Sequence, residues 1–230
     1  MPTVMSMHKL AVGLIDSGVA GLAPASVAAS RCFLAAQSGD VTQGDAVDDQ
    51  LGHGTALARI LLRVAPEIGL YNAQVFSHQL SCSAAQAAAA LVWLLEQNIR
   101  LVNMSFGLRE DRQLLRQACA RAVNSGVVLV AAAPARGEPV FPAAYPGVIS
   151  ATGDARCAPG EISLLENGQA DFGGHVRAAG TNVAGASVGC AHVSAQAARF
   201  LAIHPGGSPA QLRVWLAAQA SYCGPERRVC

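Results

Sequence analysis

The sequence is poor in charged, lysine and aromatic residues. Only 13% of its 230 residues are charged and 5% are aromatic, and Lys9 is the only lysine. Sixteen basic and 15 acidic residues give a net charge of +1 at pH 7, so no excess of one sign favours nucleic acid or an anionic membrane as a partner. A hydrophobic content of 52% excludes an intrinsically disordered chain, which needs low hydrophobicity and high net charge. The composition therefore indicates a globular protein.

Long apolar runs and closely paired cysteines are also missing. No stretch of about 18 apolar residues is free of charged or helix-breaking residues, which excludes a transmembrane helix. Met1–Leu10 has no basic segment followed by an apolar one, so we expect no signal peptide. The seven cysteines include no Cys-x-x-Cys pair, which favours buried thiols in a reducing compartment, with a late Cys223–Cys230 disulfide as the alternative. We therefore expect a cytoplasmic protein without a membrane partner.

Short apolar stretches alternate along the chain with longer helical patterns. The apolar stretches predict strands over Lys9–Ile15, Leu70–Phe76, Ile99–Met104, Val127–Ala132 and Val148–Thr152. The helical patterns predict helices over His53–Val64, Ser83–Asn98, Gln113–Asn124, Ser187–Ile203 and Leu212–Ala220. Residues 36–52 are rich in Gly and Asp and predict a loop. This alternation is typical of an α/β fold, a parallel sheet with helices on both faces, in one domain over residues 1–230.

Three short motifs carry residues that together can perform acyl transfer. They are Asp16-Ser17-Gly18, Gly52-His53-Gly54-Thr55 and Gly185-Ala186-Ser187. Acyl transfer needs a nucleophile, a base that takes its proton, and a carboxylate that holds the base in the right tautomer. Each motif alone also has a structural explanation, because Asp-Ser-Gly is a common strand-to-turn sequence and Gly-Ala-Ser can cap a helix. Their occurrence together makes Asp16, His53 and Ser187 the candidate catalytic residues.

The stretches around these motifs resemble those of subtilisin-like serine proteases (peptidase family S8), whose triad follows the same chain order. The matching stretches are AVGLIDSGV (11–19), GHGT (52–55), VAPEIGLYNAQVF (64–76), LVNMSFG (101–107), NSGVVLVAAA (124–133), FPAAYPGVISATG (141–153) and GASVGCAHVSAQAA (185–198). The resemblance implies a subtilisin-like three-layer fold in which Asp16 orients His53 and His53 activates Ser187. It also implies that a peptide substrate lies as an extra strand between two segments, Leu80, Ser81 and Cys82 on one side and Ser105, Phe106 and Gly107 on the other.

The chain departs from the family at the oxyanion hole. The family's Gly-Asn after the strand Val127–Ala132 is Pro134-Ala135 here, and its Thr before the serine is Ala186. In subtilisin, loss of that Asn reduces turnover roughly 10²–10³-fold. We expect an altered oxyanion region formed by Ala135, Arg136 and Ala186. Either the Arg136 side chain partly replaces the missing donor, or Arg136 is a solvated loop residue.

We also expect neither the calcium-binding loop nor the prodomain that members of this family commonly have. The family's Asn-rich calcium-binding loop is missing, because Ile60–Val64 runs directly into Ala65-Pro66-Glu67. Without its oxygen ligands we expect no calcium site, no other metal and no cofactor. We further expect no prodomain before Lys9, and therefore an enzyme made without a zymogen stage.

These departures favour a specialised processing endopeptidase that cleaves a partner or precursor peptide. Within the family the chain is similar to the maturation proteases of the quinohemoprotein amine dehydrogenase small subunit. That resemblance implies leader removal from a modified precursor, with the precursor and its modifying radical enzyme as partners. A pseudoprotease that binds an extended peptide as chaperone or adaptor is the alternative, although the intact triad argues against it. A general cytoplasmic peptidase is a third hypothesis, which degradation of casein would support.

Overall fold

Ten strands and five helices occur in the part of the chain that the computed structural model describes, residues 9–36 and 40–225. The strands are β1 (Leu10–Asp16), β2 (Val27–Ala35), β3 (Val41–Gly44), β4 (Ile68–Gln74), β5 (Leu101–Met104), β6 (Val128–Ala132), β7 (Ile149–Gly153), β8 (Ile162–Leu164), β9 (Phe172–Gly174) and β10 (Tyr222–Cys223). The helices are α1 (His53–Val64), α2 (Ala84–Glu96), α3 (Gln113–Asn124), α4 (Ala186–Ile203) and α5 (Pro209–Ala218). A short 3₁₀ turn spans Pro24–Ser26.

These strands form a single sheet in the order β10-β8-β9-β7-β6-β5-β1-β4-β2-β3. Strands β7, β6, β5, β1, β4 and β2 are parallel to their neighbours in this series. Two antiparallel pairs, β2 with β3 and β8 with β9, lie toward the two edges. The carboxyl ends of the parallel strands share one edge of the sheet, which is where sites form in such folds. The expected mostly parallel sheet is confirmed.

Helices cover both faces of the sheet and enclose two hydrophobic cores. Helices α1, α4 and α5 pack on one face, where Leu57 and Leu201 are buried. Helices α2 and α3 pack on the other face, where Leu91 and Leu115 are fully buried. Each helix contributes apolar side chains to one core, so the sheet is covered on both sides and the three-layer architecture is confirmed.

Helix α4 is built from small residues, which allows it to approach the sheet closely. A Cβ atom on Gly189 would lie 2.0 Å from the carbonyl oxygen of Thr152, and one on Gly174 would lie 2.6 Å from the carbonyl oxygen of Gly189. Alanine at either position would therefore push the helix away from the sheet. This close packing fixes the N-terminus of α4, which carries Ser187, relative to the strands beneath it.

The predicted helices and central strands are all present, and the bounds of α1 and α3 agree with the prediction. The prediction of a loop over residues 36–52 is wrong at Val41–Gly44, which forms β3. This strand has no apolar pattern of its own, and its residues become extended because they pair with β2. The sequence patterns do not predict β2 or the short strands β8, β9 and β10, which also depend on their partners in the sheet.

The described residues contain neither a membrane-spanning helix nor a disulfide. None of the described helices combines the length and apolar character needed to cross a lipid bilayer. The six described cysteines are free thiols, and Cys223 is exposed. Cys230 lies outside the described residues, so the Cys223–Cys230 disulfide stays a prediction.

Candidate active site

Asp16 and His53 meet at the carboxyl edge of the sheet. Asp16 is the last residue of β1 and fully buried, and His53 is the first residue of α1 and 8% exposed. The Nδ1 atom of His53 lies 2.7 Å from Oδ1 of Asp16. Because an ionised carboxylate only accepts hydrogen bonds, Nδ1 carries the proton and Nε2 is left free to act as a base.

The turn after β1 docks the start of α1 against Asp16. The Ser17 hydroxyl oxygen accepts a hydrogen bond from the Gly54 amide at 2.8 Å, and the Ser17 amide donates to Oδ1 of Asp16 at 2.7 Å. A Cβ atom on Gly54 would lie 2.2 Å from the carbonyl oxygen of Gly18, so only glycine fits between the helix and the turn. The glycine after the histidine is therefore required for the contact between His53 and Asp16.

Asp49 closes the other side of the α1 N-terminus. Its Oδ1 accepts from the amides of Leu51 and Gly52, and its Oδ2 accepts from the amide and hydroxyl of Thr55 at 2.8 and 2.7 Å. These bonds satisfy donors that a helix start leaves unpaired and place a negative charge where the helix dipole favours it.

The surroundings of His53 favour its charged form. Burial lowers the pKa of His53, but the hydrogen bond to Asp16 and the negative charges of Asp16 and Asp49 outweigh burial and raise that pKa above its ordinary value. The second carboxylate oxygen of Asp16, Oδ2, is buried and has no hydrogen-bond partner among the described residues. The site therefore stabilises an imidazolium, which is the form of His53 that exists after it has taken a proton from a nucleophile.

Ser187 lies in the first turn of α4, beside the segment that follows β5. The Gly185 cap has a φ of 91°, and the first amide of this turn with an intrahelical bond is that of Gly189, which donates to the Gly185 carbonyl oxygen. The Ser187 amide is consequently available at the positive end of the helix dipole. The Ser187 hydroxyl donates to the carbonyl oxygen of Ser105 at 3.3 Å, so in this conformation it does not donate to His53.

One open cavity of about 310 Å³ brings the base, the nucleophile and part of the predicted substrate segments together. It is lined by His53, Leu80, Ser105, Phe106, Gly107, Ala132, Ala133, Pro134, Val140, Ala186 and Ser187. Ser81 is not part of this lining, and Cys82 lines a neighbouring cavity with Leu108 and Arg109. Apart from His53, the lining holds no ionisable side chain, so the cavity suits an uncharged group of a substrate.

The predicted oxyanion region is only partly at the cavity. Ala186 lines the cavity next to Ser187, whereas Ala135 and Arg136 are exposed and outside the lining. Within the described chain, Arg136 makes no hydrogen bond or ion pair. Both the oxyanion role of Ala135 and Arg136 and the substitution of Arg136 for the missing donor stay predictions.

Metal-ligating groups and the other histidines do not add a second centre. In the described ranges, no three His, Cys, Asp or Glu side chains are arranged to hold a metal ion. His192 is 1% exposed, and its Nδ1 accepts a hydrogen bond from the Gly160 amide at 3.3 Å. Burial, with the nearby charges of His175 and Arg63, lowers the pKa of His192 to about 4. Its position agrees with a packing role on α4.

Sequence reasoning missed the polar residues that support the site. Gln74 at the end of β4 donates to the carbonyl oxygens of Ser17 and Val47, and it accepts from the Val47 amide. Asn103 in β5 is fully buried and hydrogen-bonded to Ser105. The available signal was a polar residue within an otherwise apolar strand, since such a residue is buried only when its side chain has partners.

Comparison with known sequences identifies relatives of the chain. The sequence profile of the Subtilase family (peptidase S8) matches residues 8–229. A thermostable alkaline protease of Halalkalibacterium halodurans is 27% identical over an alignment of 242 residues, which covers 93% of this chain and 62% of that protein. Subtilisin DY of Bacillus licheniformis is 27% identical over 237 aligned residues, which covers 93% of this chain and 84% of that one.

Solved structures support the same fold. The S41 psychrophilic protease superposes with a TM-score of 0.69 at 23% identity, covering 93% of this chain and 83% of that chain. A cold-adapted subtilisin-like serine proteinase superposes with a TM-score of 0.67 at 21% identity, covering 92% of this chain and 84% of that chain. The expected subtilisin-like fold and the expected membership of a family of peptide-bond hydrolases are confirmed. The profile match spans nearly the whole chain, and the protein belongs to the Subtilase family.

Proposed function

We propose that the protein is a serine endopeptidase in which Asp16, His53 and Ser187 form the catalytic triad. The observation that carries the proposal is the buried 2.7 Å contact between Asp16 and His53, in a cavity that also holds Ser187 at a helix N-terminus. A helix cap alone would not need a buried carboxylate–histidine pair beside it. The pair costs desolvation free energy, which a catalytic role explains.

The first half of the reaction forms an acyl-enzyme. Rotation about the Cα–Cβ bond of Ser187 moves its hydroxyl from the Ser105 carbonyl toward Nε2 of His53. His53 takes the proton as Ser187 Oγ attacks the scissile carbonyl carbon, and Asp16 stabilises the resulting imidazolium. The imidazolium then gives its proton to the leaving amine as the C–N bond breaks.

The second half hydrolyses the ester. His53 takes a proton from water, the hydroxide attacks the acyl carbon, and the proton returns to Ser187 Oγ as the carboxylic acid leaves. Both tetrahedral intermediates carry an oxyanion, and the Ser187 amide at the start of α4 is placed to donate to it. Because the cavity lining supplies no side-chain amide, we expect slow turnover or narrow specificity.

The substrate we propose is a partner or precursor peptide that docks in extended form beside Ser105–Gly107. Leader removal from a modified precursor fits a slow enzyme with an apolar cleft, and the small subunit of quinohemoprotein amine dehydrogenase is the precursor we propose. Its modifying radical enzyme would act before cleavage, and the location we propose is the cytoplasm. The support for this substrate is the resemblance and the altered oxyanion region together.

The first experiment is labelling with a fluorophosphonate probe, read by intact mass. We expect one adduct on wild type and none on His53→Ala or Ser187→Ala. A full adduct on Ser187→Ala would show labelling elsewhere and remove Ser187 from the proposal. Repeating the labelling with the precursor peptide present shows whether a partner completes the site.

A second experiment tests the substrate class. Incubation with the precursor is expected to release the leader at one site, while casein stays intact. Degradation of casein at many sites would instead indicate a general peptidase.

A pseudoprotease is the second candidate, and one observation favours it. The Ser187 hydroxyl donates a hydrogen bond to the Ser105 carbonyl oxygen, and no side-chain amide is among the described residues that line the cavity. Tight binding of the precursor to wild type, with no adduct and no cleavage in the complex, would support this candidate.

The role proposed for Arg136 has its own test. If its guanidinium donates to the oxyanion, Arg136→Ala reduces kcat far more than Arg136→Lys does. Equal losses, or no loss, would remove Arg136 from the mechanism.

A further inference from the structure

The Asn103 side chain forms a small polar network directly beneath the candidate nucleophile. Its Nδ2 donates to the Ser105 hydroxyl oxygen at 2.9 Å, and its Oδ1 accepts from the Ser194 hydroxyl at 2.8 Å. The Cys190 thiol, 3.4 Å away, also donates to Oδ1. Asn103 thus connects β5 with two successive turns of α4, the helix that begins at Ser187.

The sheet itself does not require an amide at this position. In the register of the parallel strands, Asn103 pairs with Leu14 of β1 and Val130 of β6, and all three side chains are 0% exposed. Both neighbours are apolar, so an apolar residue would fit the sheet here. Burying an amide costs free energy unless hydrogen bonds compensate for it. The reason for an amide at position 103 therefore lies in the residues to which it is hydrogen-bonded.

Ser105 transmits the effect of Asn103 to Ser187. Because Asn103 already donates to the Ser105 oxygen, the Ser105 proton points elsewhere, and it lies toward the Ser187 carbonyl oxygen at 3.4 Å. The Ser187 hydroxyl in turn donates to the Ser105 carbonyl oxygen at 3.3 Å. The two serines are therefore joined by reciprocal hydroxyl-to-carbonyl hydrogen bonds, and Asn103 sets the direction of one of them.

We propose that Asn103 is a positioning residue, which acts through Ser105 to hold the Ser187 turn at a fixed distance from the substrate-binding segment. The inference rests on the proposed function. Misplacement of a nucleophile by about 1 Å can reduce a rate by roughly 10²-fold, so a small displacement of this turn is enough to matter. Asn103 itself does not touch the reacting atoms.

The test measures the rate of phosphonylation by the fluorophosphonate probe, together with the melting temperature. Asn103→Leu keeps the shape and removes every hydrogen bond of the amide, and Asn103→Asp keeps the acceptor for Ser194 and Cys190 but cannot donate to Ser105. We expect both to label at least tenfold more slowly than wild type at saturating probe, with the half-saturating probe concentration within twofold of wild type. Ser105→Ala should slow labelling to a similar extent.

A double-mutant cycle separates positioning from general destabilisation. Because Asn103 acts through Ser105, the Asn103→Leu/Ser105→Ala double variant should label no more slowly than the slower single variant. Ser194→Ala is the matched control, since it removes a hydrogen bond to the same amide on the side away from Ser187. It should lower the melting temperature but keep labelling within twofold of wild type.

The outcomes distinguish this inference from the function on which it rests. If the probe does not label wild type, either alone or with the precursor peptide, both the proposed function and the positioning role are contradicted. Two results would overturn the positioning role alone, provided that wild type is labelled. One is additive rate losses in the double variant, and the other is equal rate losses in Ser194→Ala and Asn103→Asp. If Asn103→Leu does not fold, Asn103→Asp and Ser105→Ala complete the cycle.

Discussion

The two sides of the cleft are built in contrasting ways. On the side of the base, buried Asp16 and His53 and the partly buried Asp49 form a group held by short hydrogen bonds. On the acyl side, the wall near Ser187 consists of small apolar residues, among them Ala133 and Pro134. Charge on the first side is stabilised by fixed side chains, whereas the donors proposed for the second side are backbone amides at the start of α4.

This difference affects the two parts of the proposed mechanism, proton transfer and stabilisation of the oxyanion, in different ways. The groups that the proposed proton transfer needs on the side of the base are held in place, because Asp16 contacts His53 and Ser17 binds the Gly54 amide. In the proposed mechanism the oxyanion is less stabilised, because no side-chain amide is among the described residues that line the cavity. We therefore expect the proposed enzyme to depend strongly on how well a substrate fits the cleft.

The largest effect on activity is expected when the contact between Asp16 and His53 is disrupted. Asp16→Asn removes the charge that stabilises the imidazolium and favours the wrong tautomer of His53, so kcat should fall about 10⁴-fold. Steady-state kinetics on the cleaved peptide measure this loss, and circular dichroism checks the fold. A loss of less than tenfold would mean that the Asp16–His53 contact does not serve catalysis.

The next effect comes from repairing the acyl side. Ala135→Asn places a side-chain amide where the family carries one and should raise kcat, up to roughly 10²–10³-fold if the loop presents it correctly. Ala135→Leu is the control, because it adds similar bulk without a donor and should leave kcat unchanged or lower. An unchanged kcat in the Asn variant would indicate that another group already occupies the oxyanion position.

A smaller change is expected in specificity. Val140 lines the active-site cavity, packs against Gly107, and also lines a second cavity of about 240 Å³ that shares Ala133 and Pro134. Val140→Gly should join the two cavities and raise kcat/KM for a Phe residue relative to an Ala residue on the acyl side of the scissile bond. A gain of about tenfold or more is expected, since one methylene is worth about 1–3 kcal/mol in a pocket.

A graded series checks that result. Val140→Ala should give an intermediate preference when the same peptides are compared. If both variants keep the wild-type ratio, Val140 does not limit the size of the accepted side chain.

The smallest effect concerns the pH dependence of the base. His53 must be neutral to accept a proton, and its pKa is raised, so activity should increase with pH through a value above 6.5. Asp49→Asn removes a negative charge that favours the imidazolium, so the acidic limb of the kcat/KM profile should move to lower pH. Because Asn keeps only one of the two acceptor oxygens of Asp49, part of its hydrogen bonding is also lost, and the free energy of unfolding should decrease by about 1 kcal/mol.

The neighbouring residue Asp48 provides the matched control. Asp48 is exposed and does not contribute to the raised pKa of His53, so Asp48→Asn should change neither the pH profile nor the stability. An equal shift of the profile in both variants would show that general surface charge, rather than Asp49, sets the pKa of His53.

Much of the fold was predictable from local patterns, and the failures have a common cause. The bounds of α1 follow from a loop-to-helix transition at His53 and a helix-stopping Pro66. The strand β3 could not be predicted, because Thr42 and Gln43 are polar and become extended only by pairing with β2. The hydrogen bonds of the Asn103 carbonyl oxygen could not be predicted either, since its two partners, Ser194 and Cys190, lie 91 and 87 residues away in the chain.

The sequence by itself determined the alternation of strands and helices, the membership of the Subtilase family, and the three candidate residues Asp16, His53 and Ser187. Local propensity and short motifs carry that information, because each depends on neighbours along the chain. Only the tertiary structure decided that the charge of Asp49 helps to raise the pKa of His53, that Arg136 lies outside the cavity lining, and that Asn103 is linked to Ser187 through Ser105. These outcomes depend on how closely α4 and α1 pack on the sheet, and that distance is set by contacts between residues far apart in sequence.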